Sequence, residues 1–402
     1  MAIGIDPIHN HLSLGISDDS LLHMYRTMVL GRRVDDRMWA LNRQGRAPFV
    51  VSSSGHEAAQ VGTALALDRR HDWALPYYRD VAAALALGMT AEEIFLGVFS
   101  RAGDPNSGGR QMPNHWSHPG LRIFSHSSVI ATQYPHAAGI AKELQRNGNP
   151  GVVMVWGGEG STSEGDFHEA LNFAAIHKLP VVFVIENNQY AISVPVAEEV
   201  AGDLAARARG YGIPSESIDG NDVLEVFRAA SEAVGRARAG EGPSFIEART
   251  YRHYAHTSDD DDKLYRSAAE VEMWLKRDPI GILKQYLVES RLLDDALETR
   301  IDEEVTAEVS AAVERAEKAP DPTDPMAFVY ANPIVPNDPA RTQEPIPTGE
   351  EKNLITALNG TLHEILAADE RATVFGEDVA DPKGGVFKTT VGLTKAFGNN
   401  RS

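Results

Sequence analysis

The sequence predicts an α/β protein with a doubly wound, mostly parallel sheet and helices on both faces. Two short apolar runs, residues 152–156 and 181–185, have the length of buried strands. Between them lie a glycine turn that carries one acid, residues 158–160, and a helix-like segment over residues 163–178. Strand, turn, helix and strand make a βαβ unit, and such units bind ligands at the carboxyl ends of their strands.

The chain before this unit is predicted to be mainly helical. Residues 17–19 provide an N-terminal cap for an amphipathic helix, and Gly45 ends it. Residues 51–101 are predicted to form alanine-rich helices, interrupted by a turn at residues 75–79. Residues 102–128 are polar and glycine-rich without a clear period, which is typical of a loop over a binding site.

The predicted elements continue on both sides of the βαβ unit. Residues 131–145 resume a helix before it, and residues 245–248 form a further strand after it. Residues 253–266 then form a loop that contains four consecutive aspartates. A long amphipathic helix closes the domain, with Leu297, Ile301, Val305, Val309 and Val313 spaced on one face.

The composition changes after this helix. Eight prolines fall within residues 320–350, which predicts an extended linker. Regular structure is predicted again after the linker. Apolar residues at helical spacing predict a helix over residues 354–366, and a short strand is predicted at residues 373–375. The predicted division is an N-terminal arm over residues 1–21, a main domain over 22–319, the linker over 320–350, and an incomplete second α/β unit over 351–402.

The composition excludes several classes of function. A net charge of −19 argues against nucleic acid and against an anionic membrane surface as partners. No apolar run approaches the length of a transmembrane helix, and the start lacks the features of a targeting peptide, which favours a bacterial cytoplasm. With no cysteine in the chain, disulfides, thiolate metal sites and thiol chemistry are excluded.

Oxygen donors stand at both strand ends of the βαβ unit. Glu159 offers a carboxylate, Asn188 an amide oxygen, and the turn after it a main-chain carbonyl at Tyr190. Magnesium prefers oxygen ligands and takes several of them from phosphates and water. The glycines and the helix start suit a phosphate, so we predict a magnesium-bound phosphate ligand here. The alternative is an ordinary Rossmann-like turn followed by a chance Asn-Asn.

An acidic Gly-x-Gly followed about thirty residues later by Asn-Asn resembles the thiamine diphosphate signature. The resemblance extends over residues 22–319, which are similar to the α subunit of the first, decarboxylating component of the 2-oxo acid dehydrogenase complexes. The branched-chain enzymes are nearer than the pyruvate enzymes. Four further segments carry the resemblance in the family's order: SGHEAAQVG at residues 54–62, PYYRD at 76–80, GRQMPNH at 109–115 and YRHYAHTSD at 251–259.

The resemblance implies a thiamine diphosphate cofactor held by Mg²⁺. The ligands would be the side chains of Glu159 and Asn188 and the carbonyl of Tyr190. Asp often stands in place of Glu159 in the family, whereas Glu occurs in the branched-chain branch. Tyr78 and Arg79 match residues that contact the diphosphate, a role that suits the permanently charged guanidinium. The alternative for Arg79 is an ion pair with a neighbouring acid on the surface.

Two further features follow from the resemblance. Ile130 stands where the family places an apolar residue beneath the bent cofactor, although an isoleucine before a helix is commonly core. Ser127, Thr132 and Gln133 match oxygen donors around a K⁺ ion, with helix capping by Ser127 or Ser128 as the alternative. The full cofactor-binding set that the resemblance implies is Tyr78, Arg79, Ser128, Ile130, Gly158, Glu159, Gly160, Ser161, Asn188, Tyr190, Ile192, His256 and Glu377.

Histidines are the predicted catalytic residues. His256 matches a family residue beside the diphosphate and the reacting intermediate, and an imidazole with a pKa near neutrality takes and gives protons readily. The alternative is a loop histidine solvated among aspartates. His115 is assigned a role in the site and His253 a structural one. Thr257 and Ser258 stand where animal relatives are phosphorylated.

The last part of the chain resembles the opening of the β subunit of the same enzyme, in residues 376–379 and 384–387. The chain therefore looks like an α–β fusion that stops early, at Ser402. Glu377 matches a β-subunit glutamate near the thiazolium ring. The glutamate that activates the cofactor would come from a β partner, so we expect the chain to be inactive alone.

The function that the resemblance implies is decarboxylation of a branched-chain 2-oxo acid, such as 3-methyl-2-oxobutanoate. The acyl group would pass to the lipoyl group of a partner acyltransferase. One alternative is a pyruvate or acetoin dehydrogenase of the same family. The other, from a different class, is a truncated, non-catalytic assembly module.

Overall fold

A computed structural model defines the fold. The structure describes residues 10–324, 326, 349, 351–376 and 378–402. The chain divides into two compact units, residues 1–325 and 326–402. Most of the predicted linker and Glu377 lie outside the described residues, and the predicted domain boundaries stay predictions.

The first unit is built on a parallel sheet, which has five strands among the described residues. Its strands are β1 (Trp73–Leu75), β2 (Val153–Gly158), β3 (Val181–Asn187), β6 (Ser215–Asp219) and β7 (Ser244–Arg249), in the spatial order β1-β2-β3-β7-β6. A separate antiparallel hairpin pairs β4 (Tyr190–Ala191) with β5 (Val194–Pro195). The predicted runs 152–156, 181–185 and 245–248 correspond to β2, β3 and β7, whereas β1 and β6 were not predicted.

Twelve helices accompany these strands in the described part of the first unit. They are α1 (Asp18–Arg43), α2 (Glu57–Ala64), α3 (Val81–Ala86), α4 (Ala91–Val98), α5 (Gln133–Arg146), α6 (Gly165–His177), α7 (Val196–Glu199), α8 (Leu204–Arg209), α9 (Val223–Arg238), α10 (Ala268–Leu275), α11 (Pro279–Glu289) and α12 (Asp295–Lys318). Helix α1 begins as predicted, because the Ser17 hydroxyl accepts a hydrogen bond from the Ser20 amide at 3.2 Å. Gly45, just beyond its end, has a φ of +69°.

Both faces of the sheet are covered by helices, which confirms the predicted fold class. Met154 and Trp156 of β2 face a core that includes residues of α1 to α4, α9 and α12. Val153 and Val155, which alternate with them, face a second core with residues of α5, α6 and α8. Because successive side chains of a strand point to opposite faces, burial on both faces requires a continuous apolar run.

The loop over residues 102–128 is attached to the sheet. Ala74 in β1 forms an isolated parallel bridge with Ile123, through Ala74 N–H to Arg122 O and Phe124 N–H to Ala74 O, both 3.0 Å. Trp116 is 1% exposed, and its Nε1 donates to the carbonyl of Tyr77 at 2.8 Å. The predicted loop is therefore present, and it packs against the end of β1.

The second unit contains α13 (Leu354–Ala368) and α14 (Leu393–Phe397), and α13 agrees with the predicted helical stripe. The strand predicted at residues 373–375 is wrong. The Val374 amide donates to the carbonyl of Arg401 at 2.8 Å, but no described neighbouring strand continues the pairing. Across the described residues of both units, no helix is long and apolar enough to cross a membrane.

Candidate active site

A cavity of about 510 Å³ lies where β1, β2 and β3 end. Residues from the loop over 102–128 and from the segment after β7 complete its walls. The predicted site residues that line it are Tyr78, Arg79, His115, Ser128, Ile130, Gln133, Gly158, Glu159, Gly160, Ser161, Asn188, Tyr190, Ile192 and His256. Ser127 and Thr132 do not line it. The isoleucine predicted beneath the cofactor is 36% exposed and faces the cavity, so the alternative that it is simply core is wrong.

The tips of β2 and β3 are joined directly. Glu159 begins a 3₁₀ turn after β2 and is 1% exposed. Its Oε2 accepts a hydrogen bond from the Asn188 amide at 3.0 Å, while Oε1 is buried without a partner among the described residues. Burial raises the pKa of Glu159 to about 7. A buried carboxylate oxygen without a donor suits a cation, because the ion would remove the penalty of burying the charge.

The other two predicted magnesium ligands lie beside this carboxylate. Asn188 Oδ1 accepts a weak hydrogen bond from the Tyr190 amide at 3.3 Å. The Tyr190 hydroxyl bonds Glu270, at 2.9 Å to Oε2, and its carbonyl accepts a long hydrogen bond from Arg252 Nη1 at 3.4 Å. Across the part of the chain that the structure describes, no cluster of three or more His, Asp or Glu could hold a metal ion. The predicted magnesium site is not a cluster of this kind, because Glu159 is its only acidic ligand.

The three glycines at the end of β2 and in the turn after it have different roles. A Cβ atom on Gly157 would lie 2.1 Å from the Tyr134 hydroxyl, and one on Gly160 would lie 2.8 Å from the Ala191 Cβ. A Cβ on Gly158 would meet only Tyr77, at 3.9 Å, at the wall of the cavity. Two of the glycines are required by packing, and the third keeps space free beside Glu159.

Arg79 lines the cavity and joins Ser52 to His256. It is 1% exposed, and its Nη1 donates to the carbonyl of Ser52 at 2.5 Å. Its Nη2 approaches His256 Nδ1 at 3.2 Å and the carbonyl of the same residue at 3.4 Å. Within the described part of the chain, Arg79 forms no ion pair with a neighbouring acid, so the surface pair considered as the alternative is not found. Asp80 instead accepts from the Tyr77 amide at 2.7 Å, and burial raises its pKa well above the ordinary range.

A buried acid that the sequence analysis missed supports this arginine. Asp35 of α1 accepts hydrogen bonds from the Ser52 and Ser54 hydroxyls, both at 2.6 Å, and from the Ser53 amide at 3.0 Å. Burial raises its pKa to about 6, although these hydrogen bonds act in the opposite direction. The network fixes the turn whose carbonyl receives Arg79. A charged residue on the otherwise apolar face of α1 is the signal that could have revealed it.

His256 is held in one tautomer. Its amide donates to Asp260 at 2.8 Å, and its Nδ1 faces Arg79 at 3.2 Å and Arg252 at 3.4 Å. Arginine only donates, so Nδ1 must accept and Nε2 carries the proton. Burial first, and then the two guanidinium groups, lower the pKa of His256 to about 3. The pKa near neutrality that was expected for His256 is therefore not found, and this environment favours the uncharged imidazole.

Two further histidines line the cavity. His115, which is 6% exposed, has Nδ1 at 3.1 Å from the carbonyls of both Met112 and Pro113, and Nε2 bonded to the Ser128 hydroxyl. His126 was not among the predicted site residues. Its ring lies 5.4 Å from that of His115, and burial, followed by the charge of that neighbour, lowers its pKa to about 3.

The predicted potassium ligands make separate local contacts. The Ser127 hydroxyl accepts from the Val129 amide at 3.1 Å, and the Thr132 hydroxyl donates to the carbonyl of Val129 at 2.8 Å. Gln133 donates to the carbonyl of Trp156 at 3.0 Å, and its Oε1 is buried without a partner in the described structure. The helix-capping alternative does not hold either, because Gln133 begins α5 and no side chain caps that helix.

Comparison with known proteins places the chain in a family. A family model described as "Dehydrogenase E1 component" matches residues 25–324. The chain therefore belongs to the dehydrogenase E1 component family, which confirms the family predicted from the motifs. It is 50% identical over 326 residues to the 2-oxoisovalerate dehydrogenase subunit alpha of Bacillus subtilis (strain 168). That alignment covers 80% of this chain and 99% of the relative.

More distant relatives act in the pyruvate branch by name. The pyruvate dehydrogenase E1 component subunit alpha of Staphylococcus aureus (strain Mu50) is 38% identical over 312 residues, covering 77% of this chain and 81% of the relative. The protein of the same name from Staphylococcus epidermidis has the same identity and coverage. The chain is thus more similar to the 2-oxoisovalerate relative than to these two.

Proposed function

We propose that this chain is the α subunit of a thiamine diphosphate-dependent dehydrogenase that decarboxylates a branched-chain 2-oxo acid, such as 3-methyl-2-oxobutanoate. The acyl group passes to the lipoyl group of a partner acyltransferase. The observation that carries the proposal is the hydrogen bond between the two strand tips, from the Asn188 amide to Glu159. The other Glu159 oxygen is buried and has no partner among the residues that the structure describes. The substrate class rests on the 50% identity to the 2-oxoisovalerate relative.

The residues at the strand tips fit the anionic end of the cofactor. Glu159 Oε1, Asn188 Oδ1 and the Tyr190 carbonyl would hold Mg²⁺, which takes its remaining ligands from phosphate and water. The space beside Gly158 admits the diphosphate, and the buried Arg79 neutralises it. Thiamine diphosphate supplies the carbanion chemistry when it is bound.

The protein's own contribution at the other end is proton placement. His256 presents a proton on Nε2 because two arginines occupy its Nδ1. This neutral donor suits an oxygen atom that gains negative charge during the reaction. Ile130 lines the cavity with an exposed apolar side chain and would support a bent cofactor.

The proposal also includes a partner subunit, a second cation and a cellular location. A β subunit completes the site, and residues 376–379 and 384–387 are proposed to correspond to the start of such a subunit. Glu377, which lies outside the described residues, is proposed as the counterpart of a β-subunit glutamate of the family. A K⁺ ion near Gln133 is supported by the buried Oε1 atom without a partner among the described residues. The bacterial relatives support a bacterial cytoplasm as the location.

The pyruvate branch is the second candidate, because relatives named for pyruvate are 38% identical over most of their length. The test is steady-state turnover by this chain reconstituted with its β subunit, thiamine diphosphate and Mg²⁺. We expect kcat/KM for 3-methyl-2-oxobutanoate to exceed that for pyruvate by about tenfold or more, since each methylene in a pocket contributes about 1–3 kcal/mol. A higher kcat/KM for pyruvate would show that the protein belongs to the pyruvate branch. No turnover of either acid would overturn the proposal.

A further inference from the structure

One histidine that lines the cavity, His126, differs from the others in its hydrogen bonding. His126 is 6% exposed, and neither ring nitrogen has a hydrogen-bond partner among the described residues. A buried polar group without a partner destabilises the fold, and such groups in folded proteins call for an explanation. The side chain lines the cavity, so a bound molecule is the available source of a partner.

The position of this ring is fixed by its surroundings. The His126 amide donates to the carbonyl of Trp116 at 2.9 Å, and the loop is joined to the sheet three residues earlier, at Ile123. The ring lies against Tyr78, at 5.9 Å, and His115, at 5.4 Å. Because both nitrogens of His115 already have protein partners, His126 is the imidazole of this pair that remains available.

The lining of the cavity has a mixed character. Phe49, Val51 and Met112 belong to it together with the two histidines. A ligand that matches this lining has an apolar branch for the hydrophobic side chains and an oxygen-bearing end for an imidazole. A short branched 2-oxo acid has both features, and its carboxylate and keto oxygens accept hydrogen bonds.

We propose that His126 is a substrate-binding residue that donates a hydrogen bond to the carboxylate or keto oxygen of the branched 2-oxo acid. This inference rests on the proposed function and adds a residue to it. A neutral donor orients the carboxylate without the strong ground-state stabilisation that a cation would give. That difference favours loss of carbon dioxide, because the negative charge leaves the carboxylate in that step.

The test uses the enzyme reconstituted with its β subunit, thiamine diphosphate and Mg²⁺. Decarboxylation of 3-methyl-2-oxobutanoate is followed with an artificial electron acceptor, and cofactor affinity is measured separately by fluorescence quenching. His126→Phe removes the donor while keeping a ring. His126→Asn and His126→Gln place an amide donor near Nδ1 and Nε2. His23→Phe, at an exposed histidine of α1, is the matched control.

We expect His126→Phe to lower kcat/KM by about tenfold or more, mainly through KM, as for loss of a hydrogen bond to a charged group. Cofactor affinity should stay within about twofold of the unsubstituted enzyme, and one of the two amide variants should recover at least about a third of kcat/KM. The control should change neither quantity.

Two results would overturn the assignment. One is a kcat/KM within about threefold of the unsubstituted value for the phenylalanine variant, or for both amide variants if the phenylalanine variant does not fold. The other is a parallel loss of cofactor affinity, which would show a structural role. The unsubstituted enzyme reports separately on the proposed function, and an inactive one would remove both proposals.

Discussion

The two ends of the cavity are built differently. At the strand-tip end, Glu159 and Asn188 are 29 residues apart in sequence, yet a single hydrogen bond joins them. At the histidine end, His115, His126 and His256 come from loops, and their positions depend on contacts with Trp116, Ser128 and two arginines. The parallel sheet determines which residues meet at the first end, whereas loop packing determines them at the second.

The largest effect is expected at the strand tips. Glu159→Gln keeps the size of the side chain and removes its charge, so the cation loses its anionic ligand. We expect activity to fall by about 100-fold or more, with weaker Mg²⁺-dependent cofactor binding. Titration with Mg²⁺ at fixed thiamine diphosphate measures this. Glu169→Gln, at an exposed position of α6, is the control, and an unchanged Mg²⁺ requirement for Glu159→Gln would contradict the predicted ligand.

The next effect is expected at Arg79, the buried arginine beside His256. Arg79→Lys keeps the charge but loses the fork that reaches both Ser52 and His256. We expect thiamine diphosphate affinity to fall by about 10- to 100-fold, measured by fluorescence quenching. Arg70→Lys, whose arginine pairs on the surface with Asp68, should leave affinity unchanged. If Arg79→Lys and Arg70→Lys bind thiamine diphosphate with equal affinity, Arg79 does not bind the diphosphate.

A pair of glycine substitutions distinguishes packing from ligand space. Gly157→Ala places a methyl group against the Tyr134 hydroxyl, so unfolding free energy should fall by about 1–3 kcal/mol. Gly158→Ala meets no close atom and should change stability little while weakening cofactor binding. Denaturant unfolding and cofactor titration of both variants give the comparison. A reversed pattern would show that the open side of Gly158 is not where the cofactor binds.

The smallest effect concerns the buried acid behind Arg79. The pKa of Asp35 is raised to about 6 in the fold, so between its unfolded pKa and pH 6 the folded state holds more protons. Stability from this group is therefore present at low pH and is lost as pH rises through 6. The unfolding free energy of the unsubstituted protein, minus that of Asp35→Asn, should fall by about 1 kcal/mol between pH 5 and 7.5. A difference that rises with pH would mean that the carboxylate is stabilised when charged.

The sequence predicted the strand-borne part of this protein and missed much of the rest. Strands β2, β3 and β7 are buried on both faces, so they appear as apolar runs. Strand β1 has three residues, too few for a period, and most residues of β6 are only partly buried. The strand predicted at residues 373–375 had the right composition, but strands form by pairing, which composition does not report.

The same distinction applies to the site. The carboxyl ends of adjacent parallel strands converge by topology, so Glu159 and Asn188 could be predicted to meet. The contacts of Asp35 with residues 52–54, and of His126 with the cavity, depend on how distant loops fold back. The isolated charge on the buried face of α1 was a readable signal for Asp35. Nothing in the local sequence around His126 distinguishes it from a surface loop histidine.

The bridge between Ala74 and Ile123 has a consequence for solubility. A bare outer strand in a sheet offers free amides and carbonyls to which a foreign chain can add, and edge-to-edge aggregation begins in this way. Here both backbone groups of Ala74 on that side are occupied by residues 122 and 124. The margin of the sheet that leads into Tyr78 and Arg79 is thereby closed to strand addition, and misassembly at this margin would require the loop to detach first.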